Sequence, residues 1–237
     1  MLLGDDTSLL GVKGDLHIHS IFSDGKPSPL EVILVALRKK LRVISITDHN
    51  SFKGSSEALR IAKNMGLQDN YLVIIPGAEI RTSIGEIILY CHEPLESFPT
   101  DPYELLDYSA QHQCFTVAPH PYDLPRLGIG TNVLKLPING VEVFNASSPR
   151  VSNMRAMKKI GVLADKTLLA NSDAHIPEYI GVAFNILFLE ELSLEAVFTA
   201  LRKKRVVPVP GSPQFIDIIK RYSWSIARRA NPAYQRY

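Results

Sequence analysis

The chain is predicted to be an α/β protein whose strands and helices alternate to build a sheet, closed or open, with its chemistry at one end. Three observations predict it. Short apolar runs rich in β-branched residues alternate with amphipathic segments almost from end to end. Repeated β-then-α units imply a parallel sheet with its site beyond the C-terminal strand ends. Histidines and carboxylates recur where the apolar runs stop. A chain of 237 residues, 46% of them hydrophobic, can bury one sizeable core.

The run from Val12 reads as the first strand, passing through Gly14-Asp15-Leu16-His17-Ile18-His19-Ser20 into a turn at Ser23-Asp24-Gly25. Strand side chains alternate faces, so His17 and His19 point the same way and can grip one ion. Neutral imidazole is the commonest protein ligand for such ions. Residues 29–40 carry Leu30, Ile33, Leu34 and Leu37 at helical spacing, with Ser28 as N-cap and Pro29 in first position. Residues 42–47 form a β-branched strand ending at Asp48-His49, and 55–65 a helix that stops at Gly66.

Residues 71–75 are predicted as a third strand that continues past Pro76-Gly77 into Ala78-Glu79-Ile80, with 86–90 as a hairpin partner. Residues 101–113 are helical, and 114–118 a strand ending at Pro119-His120-Pro121. A strand over 140–144 and a helix over 151–163 follow, and 167–170 leads into Asn171-Ser172-Asp173-Ala174-His175. Residues 181–189 and a helix over 193–204 close the pattern.

Composition narrows the function. A net charge of +2 argues against a dedicated polyanion binder and against a disordered acidic protein. Cys91 and Cys114 stand in no metal-type spacing and fit a reducing compartment with no disulfide framework. The start lacks the basic and long apolar regions of a signal peptide, and no uncharged apolar run approaches the ~18 residues of a membrane span. The expectation is a soluble, cytoplasmic protein with no membrane partner.

The polar residues at the predicted strand ends are His17 and His19, Asp48 and His49, Glu79, His120, and Asp173 with His175. Each would be a costly group beside an apolar core. Carboxylates and imidazoles gathered around divalent ions offset that cost.

These motifs, Asp15-Leu16-His17-Ile18-His19-Ser20 with Ser23-Asp24-Gly25, Thr47-Asp48-His49-Asn50, Gly77-Ala78-Glu79, Pro119-His120-Pro121 and Ser172-Asp173-Ala174-His175, resemble the polymerase-and-histidinol-phosphatase (PHP) family. The likeness runs in order from about Asp15 to about Val209. It implies a TIM-like, distorted (β/α)7 barrel with a metal site at the C-terminal strand ends. It also implies two or three divalent ions per chain: Zn, Mn or Fe, with Mg a further option. His17 and His19 then look like ligands of a first metal, completed by Asp173. Glu79 looks like the carboxylate bridging first and second metals, and His120 like a second-metal ligand. Asp24, His49 and His175 look like the ligands of a third. Asp48 reads as an outer partner, since neighbours on a strand face opposite ways.

Two departures stand out. Where many relatives place a histidine after the bridging glutamate, this chain reads Gly85-Glu86-Ile87-Ile88. Glu86 is therefore the candidate for the remaining second-metal ligand, with His92 as competitor, and a carboxylate there favours Mn²⁺ or Fe²⁺ over Zn²⁺. Glu79 and His120 are only 41 positions apart, too close for the small helical domain some relatives insert. The cleft is expected to be more open than theirs.

The resemblance implies a hydrolase that cleaves phosphate esters, either a phosphatase or a nucleotide or oligonucleotide phosphoesterase. A metal-bridging hydroxide would attack phosphorus in line, with no covalent protein intermediate. Substrate would be a phosphorylated small molecule, nucleotide or oligonucleotide. Arg126 and Arg150 are candidates to clamp its phosphate, against the bland reading of ordinary solvated arginines. The metallo-phosphoesterase domain is expected over 1–212. Residues 213–237 form a basic C-terminal helix or tail, packed on the barrel or trailing from it. From Arg202 to Arg236 nine arginines and lysines face one acid, Asp217, so a nucleic acid backbone is a partner to test. Phe215, Ile219, Tyr222 and Ile226 give the same segment a helical apolar stripe. Two rival readings stand: an amidohydrolase-like metal hydrolase, which usually ends in one aspartate rather than Asp-x-His, and a non-catalytic, metal-stabilised nucleic-acid-binding module.

Overall fold

Two mixed sheets of five strands each frame the computed structural model, which describes residues 9–67 and 71–230. The strands are β1 (Leu10–Ile18), β2 (Val43–Ile46), β3 (Val73–Ile74), β4 (Gly77–Thr82), β5 (Gly85–Tyr90), β6 (Phe115–Ala118), β7 (Gly140–Asn145), β8 (Thr167–Asn171), β9 (Phe184–Leu189) and β10 (Val206–Val209). The helices are α1 (Pro29–Arg38), α2 (Lys53–Asn64), α3 (Pro102–Gln111), α4 (Arg150–Met157), α5 (Leu194–Arg202) and α6 (Phe215–Ala230). The first sheet has the order β10-β9-β1-β2-β3 and the second β4-β5-β6-β7-β8.

A closed, TIM-like (β/α)7 barrel is therefore not what forms. Among the described residues the strand pairing between the two sheets is confined to isolated bridges, Ile18 with Ala174 and His49 with Glu79. The reason is local. A βα barrel needs every strand parallel to the next, yet β4–β5, β5–β6, β1–β9 and β9–β10 all pair antiparallel. The strand expected to run from 71 through Ile80 breaks at Pro76, which has no N–H to give a ladder. β3 stays in the first sheet and β4 starts the second.

Three further expectations change. The helix over 151–163 is interrupted, with α4 followed by a separate 3₁₀ turn at Ile160–Leu163. β10 is a strand beyond those expected, and it forms despite Pro208. The strand lies at a sheet edge, where a missing N–H is tolerated. Cys91 and Cys114 are joined in a disulfide, against the expectation of none. They follow β5 and precede β6, neighbours in the second sheet, which brings the two sulfurs together.

The core is built in layers. Leu16, Val43, Ile88, Tyr90, Phe115, Val117, Leu169 and Leu187 come from both sheets and meet in one central cluster. The Tyr90 hydroxyl crosses between the sheets to donate to the Leu16 carbonyl (2.7 Å). α1 and α2 cover the first sheet, with Val32, Ile33, Ala58 and Ala62 against Ile44 and Ile46. α3 and α4 cover the second through Leu105, Leu106 and Ala156. The Thr167 hydroxyl, at the start of β8, donates to Leu201 of α5 (2.6 Å), so α5 sits at the opposite end from the histidines.

α6 has no fully buried residue and docks at the histidine end: Trp224 Nε1 donates to the Asp24 carbonyl (3.0 Å) and Lys220 pairs with Glu178 (2.9 Å). Arg236 and the start of the chain lie outside the described residues. Among those described, no helix is long and apolar enough to cross a membrane.

Candidate metal centre

β1 delivers His17 and His19 to one point, both fully buried, with their Nε2 atoms 3.1 Å apart. His17 Nδ1 lies 2.8 Å from Glu142 Oε1. A carboxylate only accepts, so Nδ1 carries a proton, and in the neutral form of the ring it is the Nε2 lone pair that turns inward. His175 is fixed the same way: Nδ1 donates to the Asp173 carbonyl (2.9 Å), leaving Nε2 facing Asp24 Oδ1 (3.3 Å). Lone pairs therefore converge on carboxylate oxygens.

The carboxylates arrive from the other strands. Glu79 on β4 places Oε2 at 3.5 Å from His17, 3.3 Å from His19 and 3.1 Å from His49, and Oε1 at 3.3 Å from His120. Asp173 Oδ1 lies 3.6 and 3.4 Å from the Nε2 atoms of His17 and His19. Glu86, at the start of β5, reaches His49 (3.4 Å) and His120 (3.7 Å). Potential ligand atoms thus gather in four overlapping groups, each within 4.8 Å: His17–Glu79–His120, His17–His19–Asp173, His49–Glu79–Glu86, and His19–Asp24–His49–His175.

Local sequence makes this placement. The turn carrying Asp24 needs Gly25, because a Cβ there would sit 2.3 Å from the His19 carbonyl oxygen. Asp48 holds the same turn from beneath: it accepts from Ser20 N (2.8 Å), Ser20 Oγ (2.6 Å) and Ser23 Oγ. His120 and Asp173 sit at φ of 28° and 51°, a region non-glycine residues seldom adopt and one that collects at functional sites.

The donor set fits divalent cations. Asp24 Oδ1, His49 Nδ1, Glu79 Oε1, both ring nitrogens of His120 and Asp173 Oδ1 are buried with no hydrogen-bond partner. So many unpartnered polar atoms in one place would each cost free energy of order 1–3 kcal/mol, and cations satisfy the carboxylate oxygens and the unprotonated ring nitrogens among them. Without a cation the rings themselves are drawn toward positive charge. Burial works against charge on His17 and His19, yet the carboxylates around them hold His17 well above the usual imidazole range and raise His19 to about 10. Burial likewise opposes ionisation of Asp24, Glu79 and Asp173, but neighbouring histidines, with Arg126 foremost beside Asp173, keep all three well below the usual carboxylate range. Burial and the Glu79 charge push Glu86 up to about 7. The carboxylates call for positive charge, and imidazoles and oxygens together suit Zn, Mn or Fe.

The remaining predicted residues divide. Arg126 Nη2 is 2.6 Å from Asp173 Oδ2, and its Nη1 is buried without a partner. Arg150 opens α4, exposed to solvent, and does not line the cleft over the cluster. His92 is far from the cluster in its contacts: it stacks on Phe198 (4.1 Å) and lies 3.8 Å from Glu195. Sequence reading missed Glu142, which is buried on β7 and also accepts from His120 N (2.8 Å), Asn145 Nδ2 (2.8 Å) and Asn171 Nδ2 (2.9 Å). Its signal was present as the lone acid within Gly140-Val141-Glu142-Val143-Phe144.

A cleft of about 540 Å³ opens over the cluster, with Asp24, His49, Glu86 and His175 on its floor. Arg81 and Arg126 flank it, and α6 supplies a wall.

Residues 15–124 match the PHP domain and residues 162–206 the PHP-associated segment. An uncharacterized protein of Methanocaldococcus jannaschii is 33% identical over 147 residues, 57% of this chain and 82% of that one. The chain belongs to the PHP domain family. A 5'-3' exoribonuclease of Haemophilus influenzae is 38% identical over 71 residues, 30% of this PHP chain and 24% of that protein. Among solved structures, a two-domain protein of Bacteroides vulgatus containing a predicted PHP-like metal-dependent phosphoesterase shares the fold. Its TM-score is 0.69 at 21% identity, over 89% of this chain and 68% of that one. The lesion-specific endonuclease of Pyrococcus furiosus gives a TM-score of 0.55 at 17% identity, over 82% and 56%. An amidohydrolase of Chromobacterium violaceum gives 0.53 at 16% identity, over 88% and 96%.

Proposed function

We propose that this PHP-family chain is a metal-dependent phosphoesterase that hydrolyses phosphate esters without a covalent protein intermediate. The observation that carries the reading is the convergence of orphaned nitrogen and oxygen lone pairs beneath an arginine-flanked cleft. His17, His19 and Asp173 would hold one ion, and Glu79, His120 and Glu86 a second, with Glu79 shared between them. Asp24, His49 and His175 would hold a third. Divalent ions supply Lewis acidity for the phosphoryl oxygens and bring the pKa of bound water toward ~7.

The chain's own residues do the rest. Glu142 and the Asp173 carbonyl fix the tautomers of His17 and His175, so that lone pairs and not N–H groups face the cleft floor. Asp48 and the serines hold Asp24 in place. Arg126, anchored on Asp173, keeps Nη1 available for a substrate phosphate oxygen. No serine or cysteine nucleophile is required by this arrangement: the described cysteines are bonded to each other.

Support comes from the matching PHP segments and from the stretch similar to a 5'-3' exoribonuclease, while the phosphoesterase structure, at 21% identity, bears on the fold. The amidohydrolase likeness, at 16% identity, bears on the fold alone. Metal content measured on purified protein, followed by a phosphoester panel with Mn²⁺, Zn²⁺ and Mg²⁺, tests the reading. We expect bound metal and metal-dependent turnover that His17→Ala reduces at least 100-fold while the chain stays folded. Undiminished turnover in that variant, or hydrolysis insensitive to chelation, would refute it.

A further inference from the structure

α6 lies beyond both segments that match the PHP family, the second of which ends at residue 206, yet it forms a wall of the cleft over the candidate metal centre. Trp224 pins it there through the Asp24 carbonyl. The wall turns Arg221, Tyr222, Ile226, Arg228 and Arg229 toward the cleft.

Charge and shape exceed what one phosphate group needs. Five arginines line the cleft against three carboxylates, Asp24, Glu86 and Asp123, before any cation is counted. Arg228 approaches Asp24 Oδ2 at 3.7 Å, while Arg221 lies over the Tyr179 ring at 6.0 Å with its Nε buried and unpartnered. α6 itself has one acid, Asp217, already paired with Lys220 (3.4 Å). Between these cations stand Tyr222 and Ile226, exposed by 62% and 69% of their surface. Flat and apolar side chains left open between guanidinium groups suit a ligand with alternating phosphates and ring faces. Base stacking on an aromatic ring, with a basic groove along the backbone, is how single strands are held without sequence preference.

We propose that α6 is a substrate-binding wall for single-stranded nucleic acid. On it Tyr222 stacks a base next to the reacting phosphate, and Arg229 and Arg221 take the neighbouring phosphate. The inference rests on the phosphoesterase reading and names its substrate class. A cavity of about 540 Å³ is of the size that holds a nucleotide-scale ligand.

The test is direct binding of fluorescein-labelled eight-nucleotide single strands, DNA and RNA side by side, to the full chain by fluorescence anisotropy. Hydrolysis of p-nitrophenyl phosphate is measured on the same preparation. Tyr222→Ala should weaken binding about tenfold or more, and Tyr222→Phe should restore it. Arg229→Ala should weaken binding and flatten the log–log salt slope by about 0.7. Lys63→Ala, on the outer face of α2, should bind as the native chain does. Binding within twofold of native in both Tyr222→Ala and Arg229→Ala, or equal loss in Tyr222→Phe and Tyr222→Ala, would overturn the wall. Intact binding with no turnover of p-nitrophenyl phosphate, of the labelled strands or of any ester in the phosphoester panel, under any metal, would instead overturn the phosphoesterase reading and leave the wall standing.

Discussion

His17 shows how much of this site depends on one proton. Its Nε2 faces the carboxylates only because Nδ1 spends its hydrogen on Glu142 (2.8 Å). Burial opposes the Glu142 charge, but His17 beside it holds the carboxyl below the usual range, so the acceptor stays ionised. Glu142→Gln keeps the size and removes the charge that fixes the tautomer. We expect metal affinity or turnover to fall 10- to 100-fold, as is typical for partners that orient a ligand, with little change in melting temperature. Isothermal titration with Zn²⁺ or Mn²⁺ checks this, and native affinity in the variant would contradict the tautomer argument. At this scale the sequence was readable wherever a polar residue closed an apolar run. Glu142 was passed over because it sits inside its strand rather than at the end. His92 competed with Glu86 on strand parity, yet parity holds only while the strand lasts, and β5 stops at Tyr90.

Elements were legible through their caps. Ser28 accepts from Glu31 N and Pro29 opens α1, and Asp101 caps α3 through Tyr103 N and Glu104 N. What sequence spacing concealed was strand partnership, which is a tertiary property. The β4–β5 hairpin turns through Gly85, at φ +126°, where a Cβ would lie 2.5 Å from the Leu127 carbonyl oxygen. The next residue, Glu86, donates its N–H to that same carbonyl (2.8 Å). Gly85→Ala should therefore destabilise the fold by about 1–3 kcal/mol and disturb Glu86, a change that urea denaturation of the variant measures. An unaltered unfolding midpoint would mean the hairpin is not held as described. The disulfide across β5 and β6 offers a second test at this scale. Cys91 and Cys114 are 23 residues apart, and closing a loop of that length stabilises by about 3 kcal/mol in the chain-entropy account. Cys91→Ser with Cys114→Ser should lower stability by about that amount while leaving the cluster residues in place. Equal stability with and without the bond would show that the strand pairing alone carries this region.

The two sheets share an apolar centre, but at the histidine end polar groups face one another across the seam. His17 and His19 belong to the first sheet, while Glu79, Glu86 and Asp173 come with the second. The molecule therefore gathers its carboxylates and imidazoles where no continuous ladder of strand hydrogen bonds joins the halves, apart from the bridges Ile18–Ala174 and His49–Glu79. Motif order along the chain was enough to anticipate this gathering, whereas the open, mixed sheets were hidden by the regular alternation of strand and helix. A cation held by His17, Glu79 and His120 would fasten the sheets together as well as serve chemistry, so metal binding and folding should be linked. With free metal at 100 times its dissociation constant, binding to the native state alone contributes about 2.7 kcal/mol. For a domain of this size that corresponds to a melting temperature roughly 5–10 °C higher. Thermal unfolding followed by circular dichroism, with chelator and then with graded Mn²⁺ or Zn²⁺, should show this rise in the native chain. The rise should shrink in Glu79→Gln, which loses the carboxylate shared between groups from both sheets. A melting temperature indifferent to metal in the native chain would mean that the seam is held by its protein contacts alone.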